Sequence, residues 1–92
     1  MAIVLKTNGD VVILEPRNGS GMPFSVEELQ STVKGPIEVL PYKDDGRVIG
    51  HLVHNADGRG LLPRNEDVSR SIGLAVYGDV MICSPVEMGQ VN

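Results

Sequence analysis

The residues best suited to chemistry in this chain are Gly58, Arg59, Gly60, Arg64 and Asn65. They lie in the run DGRGLLPRNEDVSRS, from Asp57 to Ser71. A guanidinium presents a planar fork of donors that meets two phosphate or carboxylate oxygens at once. Glycines beside it let backbone N–H groups come close to an anion. The chemistry this spacing offers is therefore the binding of a small anion, with Arg59 and Arg64 as the charged arms. A turn at Asp57-Gly58 leads to the apolar pair Leu61-Leu62, and Asn65 can cap a short helix over Glu66 to Ile72. Glu66 and Asp67 already occupy the electropositive end of that helix, which counts against a phosphate seated there. The competing reading pairs Arg64 with Glu66 or Asp67, and the other arginines with nearby carboxylates.

Nothing in the chain makes a catalytic constellation, and the expectation is a protein that is not an enzyme. Ser69, Ser71 and Ser84 sit in no nucleophile-elbow pattern. Asp44-Asp45 and Glu66-Asp67 read as exposed turn and cap residues, not as carboxylates whose environments hold their pKa values apart. His51 and His54 are three apart in a strand, so they point to opposite faces and cannot chelate one metal. No metal and no cofactor is expected. Cys83 is the single cysteine and lies in an apolar run, which suits a buried, inert thiol. Asn18-Gly19-Ser20-Gly21 reads as a flexible connection or a loop that closes over something. It lacks the lysine-serine or lysine-threonine pair of a phosphate loop.

Composition limits the partners. The net charge is −4, which argues against a nucleic-acid binder held by phosphate contacts. No apolar run reaches the roughly 20 residues of a membrane span. The start, MAIVLKTNGD, reads as a strand and not as a signal peptide, so a cytoplasmic location is expected. Ninety-two residues make one domain. Phe24, Tyr42 and Tyr77 are the only aromatic residues, so the core must come from Val, Ile, Leu and Met. A core this small folds with a thin margin, and a homo-oligomer is expected.

The elements that must carry the arginine loop follow in order. Strands are expected at 2–6 and 11–15. Asn8-Gly9 between them signals a type I′ hairpin turn, with positive φ at both central residues. Ser25 and Glu28 form a capping box, and Phe24 and Leu29 a hydrophobic staple. Val26, Leu29 and Val33 give the helix one apolar face, with Gly35 at its left-handed end and Pro36 after it. Strands follow at 37–42 and 47–55, joined by Lys43-Asp44-Asp45-Gly46. Gly50 in mid-strand implies a bulge or a close backbone approach. The segment Gly73 to Tyr77 has no clear assignment. The continuous run Val80 to Cys83 suits a strand buried on both faces. The order is β-β-α-β-β-α-β: an α+β sandwich with a mostly antiparallel sheet and helices packed on it, spanning 1–85 as a single domain. Residues 86–92 read as a tail with little to order it.

The run FSVEELQSTVKGPIEVLPYKDDGRVIGHLVHNADGRGLLPRNEDVSR, followed by YGDVMIC, resembles the domain-of-unknown-function family numbered 3846. That family occurs in phage and other mobile-element genomes as well as bacteria. The matching features are the helix leading to Gly35, the strand Ile37-Glu38-Val39, the turn before Gly60, Leu61, Pro63 and Asn65, and the Gly78-Asp79 strand. The resemblance covers roughly Val11 to Cys83. A long insertion that some members carry before the last strand is missing. The family carries no assigned activity, so the resemblance implies a setting: a small phage-type protein working in the host cytoplasm. Two readings fit that setting. One is a binder that sequesters a small nucleotide-like signal and so counters host defence. The other is an interaction module that inhibits a host protein through a strand edge or the Leu61-Leu62 patch.

Overall fold

A computed structural model describes residues 1–89. Five strands form one sheet: β1 (Ala2–Leu5), β2 (Val11–Leu14), β3 (Ile37–Asp44), β4 (Arg47–Asn55) and β5 (Val80–Cys83). Two helices, α1 (Val26–Val33) and α2 (Glu66–Ile72), interrupt them, in the element order that the sequence implies. The strand order is β2-β1-β5-β4-β3, and every pairing is antiparallel. Each hairpin forms from neighbouring segments, and the last strand then enters between them. This is why Val80 to Cys83 is apolar throughout: β5 is the central strand, and both of its faces are covered.

Side chains alternate across the sheet, and each face takes one helix. Ala2, Val4, Val53, Met81 and Cys83 meet Phe24, Leu29 and Val33 on the α1 side. Leu52, Val80 and Val76 meet Val68 on the α2 side, with Leu5, Leu40, Tyr42 and Ile72 around them. The result is a sheet between two helices. Of the three aromatic residues only Phe24 is buried.

The first hairpin turn differs in type from the sequence expectation, while the second falls within the expected segment 43–46. Gly9 has φ +92°, but Asn8 does not have positive φ. Gly9 N–H donates to Lys6 C=O at 3.0 Å and Lys6 N–H donates to Asp10 C=O at 2.9 Å. That is a three-residue loop, a turn over Thr7-Asn8 followed by a left-handed glycine bulge, and not a type I′ turn. The Asn8 side chain explains the choice: its Oδ1 accepts from Asp10 N–H at 2.9 Å, which holds Asn8 in the turn. The two-residue turn with positive φ at both positions lies instead in the second hairpin, at Asp45 (φ 54°) and Gly46 (φ 78°).

Helix α1 begins as expected. Ser25 accepts from Glu28 N–H, and the Glu28 carboxylate accepts from Ser25 N–H, both at 3.1 Å. Its end does not follow expectation, because Lys34, not Gly35, takes the left-handed position, at φ 66°. Gly35 is needed for another reason. A Cβ there would lie 2.6 Å from Asn55 Nδ2. That amide donates to the carbonyls of Val33 and Lys34, both at 3.1 Å, and so caps the helix from β4. Gly50 shows both features that its mid-strand position implied. The β3–β4 register shifts between Tyr42 and Lys43, and a Cβ on Gly50 would lie 2.7 Å from the Cys83 carbonyl oxygen.

The chain beyond Pro85 is not a loose tail as far as Gly89. Glu87 is buried, and its carbonyl accepts from Phe24 N–H at 2.8 Å. Its carboxylate accepts from Ser84 N–H at 2.9 Å and forms an ion pair with the Met1 ammonium. Met88 packs on the α1-side core. The rest of the expected tail, 90–92, lies outside the described residues.

Candidate functional site

The structure separates the residues that the sequence groups in one loop. Asn65 turns inward and is 1% exposed. Its Oδ1 accepts from Val68 N–H at 3.4 Å, which caps α2, and its Nδ2 donates to Leu5 C=O at 2.9 Å and Gly78 C=O at 3.0 Å. All of its hydrogen-bonding capacity except one acceptor lone pair ties α2 to β1 and to the start of β5. Asn65 is therefore a brace, and its side chain does not face a ligand.

Arg64 turns outward. Its Nε lies 3.9 Å from Glu66 Oε1, with both side chains about half exposed or more. This is the carboxylate pairing that the sequence offered as the competing reading. The Arg64 backbone bridges Tyr77. Gly58 is buried, and a Cβ there would lie 3.0 Å from Tyr77 Cβ. Its glycine identity thus serves the close passage of two chain segments. Its N–H already donates to Asn55 C=O at 3.4 Å.

Arg59 is different. It lines an open cleft of about 310 Å³ with His54, Asn55, Leu74, Ala75 and Tyr77. Strand β4 supplies His54 and Asn55, the turn after it supplies Arg59, and the segment after α2 supplies the rest. That last segment, unassigned from sequence, is held by Ser69, whose hydroxyl accepts from Val76 N–H at 3.0 Å. Asn65 N–H also donates to Val76 C=O at 2.9 Å. Among the described residues Arg59 makes no ion pair, and no carboxylate lines its cleft. Gly60 sits beside it at φ +83° with open space around its Cα.

His54 forms one wall. Its side chain is 10% exposed, and Nε2 lies 3.6 Å from Oε1 of Glu38, its cross-strand partner, too long for a hydrogen bond. Nε2 is buried without a hydrogen-bond partner. Sequence reasoning placed His54 in a strand but did not connect it to Arg59. The link is tertiary, through the turn that folds Arg59 back beside the end of β4.

A second groove, of about 150 Å³, lies on the α2 side of the sheet over Leu5, Leu52 and Ile82. Its rim carries Lys6, Asp10 and Asp67. Lys6 is already paired with Asp79 at 3.8 Å, so the rim is net acidic and unsuited to anions. The glycine-rich loop at 18–21 lines neither cavity.

Cys83 is 2% exposed, and burial pushes its thiol up to about 12, with the Glu87 carboxylate adding to the shift. It is a core residue, as its apolar context implied. Among the described residues no helix is long and apolar enough to cross a membrane. Compared with known proteins, the chain matches no family model, no curated protein and no solved structure.

Proposed function

We propose that the protein binds a small anionic, nucleotide-like molecule in the Arg59 cleft and so withdraws it from solution, without chemistry on it. The observation that carries this reading is the charge asymmetry of the cleft. An arginine without an ion pair among the described residues lines a recess free of carboxylates, in a chain of net charge −4. An acidic protein that keeps one such recess clear of carboxylates has a local potential suited to an anion. The volume, about 310 Å³, lies at the lower end of ligand sites. Leu74, Ala75 and the Tyr77 ring provide an apolar surface for a base, and Arg59 is placed for a phosphate. The Gly60 N–H, which donates no hydrogen bond among the described residues, lies next to it. The resemblance to family 3846 supplies the setting of this proposal, a phage-type protein that removes a host signal.

Titration calorimetry against cyclic and linear nucleotides tests it. A charge-assisted hydrogen bond contributes about 1.5–3 kcal/mol. Arg59→Ala should therefore weaken binding roughly ten- to a hundred-fold, while Arg64→Ala leaves it unchanged. The absence of heat with every nucleotide refutes the proposal, and equal loss in the two variants refutes the choice of Arg59.

A second reading, an interaction module that occupies a host protein, is favoured by one observation: Leu61 is 76% exposed at the tip of the same loop. Co-purification of a single host protein that is lost with Leu61→Ser would select this reading over the first.

A further inference from the structure

The two edges of the sheet are built differently. Edge strand β3 carries Glu38, Pro41, Lys43 and Asp44 and contains the register shift. Charges, proline and bulges are the usual devices that stop an edge from pairing with another chain. Edge strand β2 reads Val-Val-Ile-Leu and has none of them. Its apolar side chains are open to solvent, with Val11 62%, Val12 40% and Ile13 63% exposed.

The direction of its free backbone groups follows from the register. Lys6 N–H donates to Asp10 C=O, and β1 pairs Leu5 with Val11, Val4 with Val12 and Ile3 with Ile13. Hydrogen-bonded and non-bonded pairs alternate along an antiparallel ladder. Val12 and Leu14 therefore bond to β1, and the N–H and C=O groups of Val11 and Ile13 point away from the sheet.

We infer that this edge pairs with the same edge of a second copy, antiparallel, with Ile13 on the two-fold axis. Outward-facing residues must meet outward-facing residues, which rules out any two-fold between two neighbouring residues. Centring on Ile13 sets Val11 across from Glu15 of the second copy and Val12 across from its Leu14. If Glu15 extends the strand, roughly six ladder bonds form. Centring on Val12 forms fewer, because Gly9 lies in the turn.

Charge agrees with the Ile13 register. Asp10 falls across from Pro16 and Glu15 across from Val11, so no like charges are opposed. Arg17 of one copy is carried toward the Asp10 end of the other. Exposed Ile13 meets its equivalent on one face, with Val11 of each copy diagonal to Ile13 of the other and Ile3, at 38% exposed, behind it on β1. A strand of four residues buries less than the roughly 1,200 Å² of a standard interface, so the dimer is weak and depends on concentration. The inference is independent of the Arg59 cleft, which lies at the other end of the strand order.

The test is mass against concentration, by light scattering and sedimentation, from micromolar to millimolar protein. The mass should rise from 9.9 kDa toward twice that value. Ile13→Pro removes an N–H that β1 does not use, and edge strands tolerate proline. It should keep the fold, read by circular dichroism, and hold the mass at the monomer value. Ile13→Lys, at an exposed position, should do the same if the proline variant does not fold. In a mixture of differently labelled copies, NMR should show contacts between the Hα atoms of Val12 in one chain and Leu14 in the other, the non-hydrogen-bonded pair of this register. A mass of 9.9 kDa throughout overturns the inference. A dimer that persists in both folded variants overturns it equally.

Discussion

Asn65 gives the sharpest test of how the arginine loop is held. The structure assigns its side chain three bonds: one cap to Val68 N–H and two donations, to Leu5 C=O and Gly78 C=O. Asn65→Ala removes all three. Loss of an N-cap costs about 1 kcal/mol. Each lost donation costs about 1 kcal/mol, and more where the carbonyl is left without a partner. The sum is about 3 kcal/mol, a large part of the 5–15 kcal/mol expected for a small domain. The melting temperature should fall by roughly 12 °C or more, at about 4–8 °C per kcal/mol for a chain of this size. Asn65→Asp separates the contributions. It keeps the oxygen that caps α2 but places a second oxygen against the two carbonyls, so it should cost at least as much as the alanine. Asn65→Ser retains only the cap and should fall below wild type by about 2 kcal/mol. Urea denaturation followed by circular dichroism measures all three. If Asn65→Asp unfolds at the wild-type midpoint, the two donations do not stabilise the fold and the bracing argument fails.

Other consequences follow from single contacts. Gly50→Ala sets a Cβ 2.7 Å from a backbone oxygen in the central strand. Backbone there cannot move cheaply, so the variant should lose about 1–3 kcal/mol in the same denaturation assay. The Cys83 thiol, at 2% exposure and pushed up to about 12, should resist a thiol reagent at pH 8 until the chain unfolds. A native labelling rate within tenfold of the denatured rate would contradict this. Burial pushes Glu87 up, but the Met1 ammonium and the N–H and hydroxyl of Ser84 together bring it below its ordinary value. With its folded value depressed, the stability that Glu87 supplies is complete above about pH 4.5 and is lost as pH falls through the folded value. The Met1 ammonium is shifted the other way, upward from 8.0, chiefly by its hydrogen bond to Glu87. Its share is complete below about pH 8 and is lost as pH rises through the raised value. Glu87→Gln should flatten both limbs of a plot of urea midpoint against pH, and an unchanged plot would show that the pair adds nothing.

The sequence alone determined the elements, because their signals are local. The capping box at Ser25 and Glu28 is written within four residues, and the alternation in β4 within nine. The unbroken apolar run at Val80 already suited a strand covered on both faces. Only the tertiary structure decided where that strand goes, since an apolar strand of four residues carries no mark of its neighbours. It also decided why several glycines are glycine. Gly35 was legible as a helix end, but its constraint is Asn55, whose amide arrives from β4. The turn at Asn8-Gly9 was legible as a turn and not as its type, because an Asn8 side-chain bond competes with the backbone preference. The site shows the same division. Residue type marked Arg59, Arg64 and Asn65 alike. Burial and partners then sent Asn65 inward, paired Arg64 with Glu66, and left Arg59 beside His54. The physical reason is that donor chemistry belongs to the residue, whereas the availability of a donor depends on which groups the fold brings within about 3 Å of it.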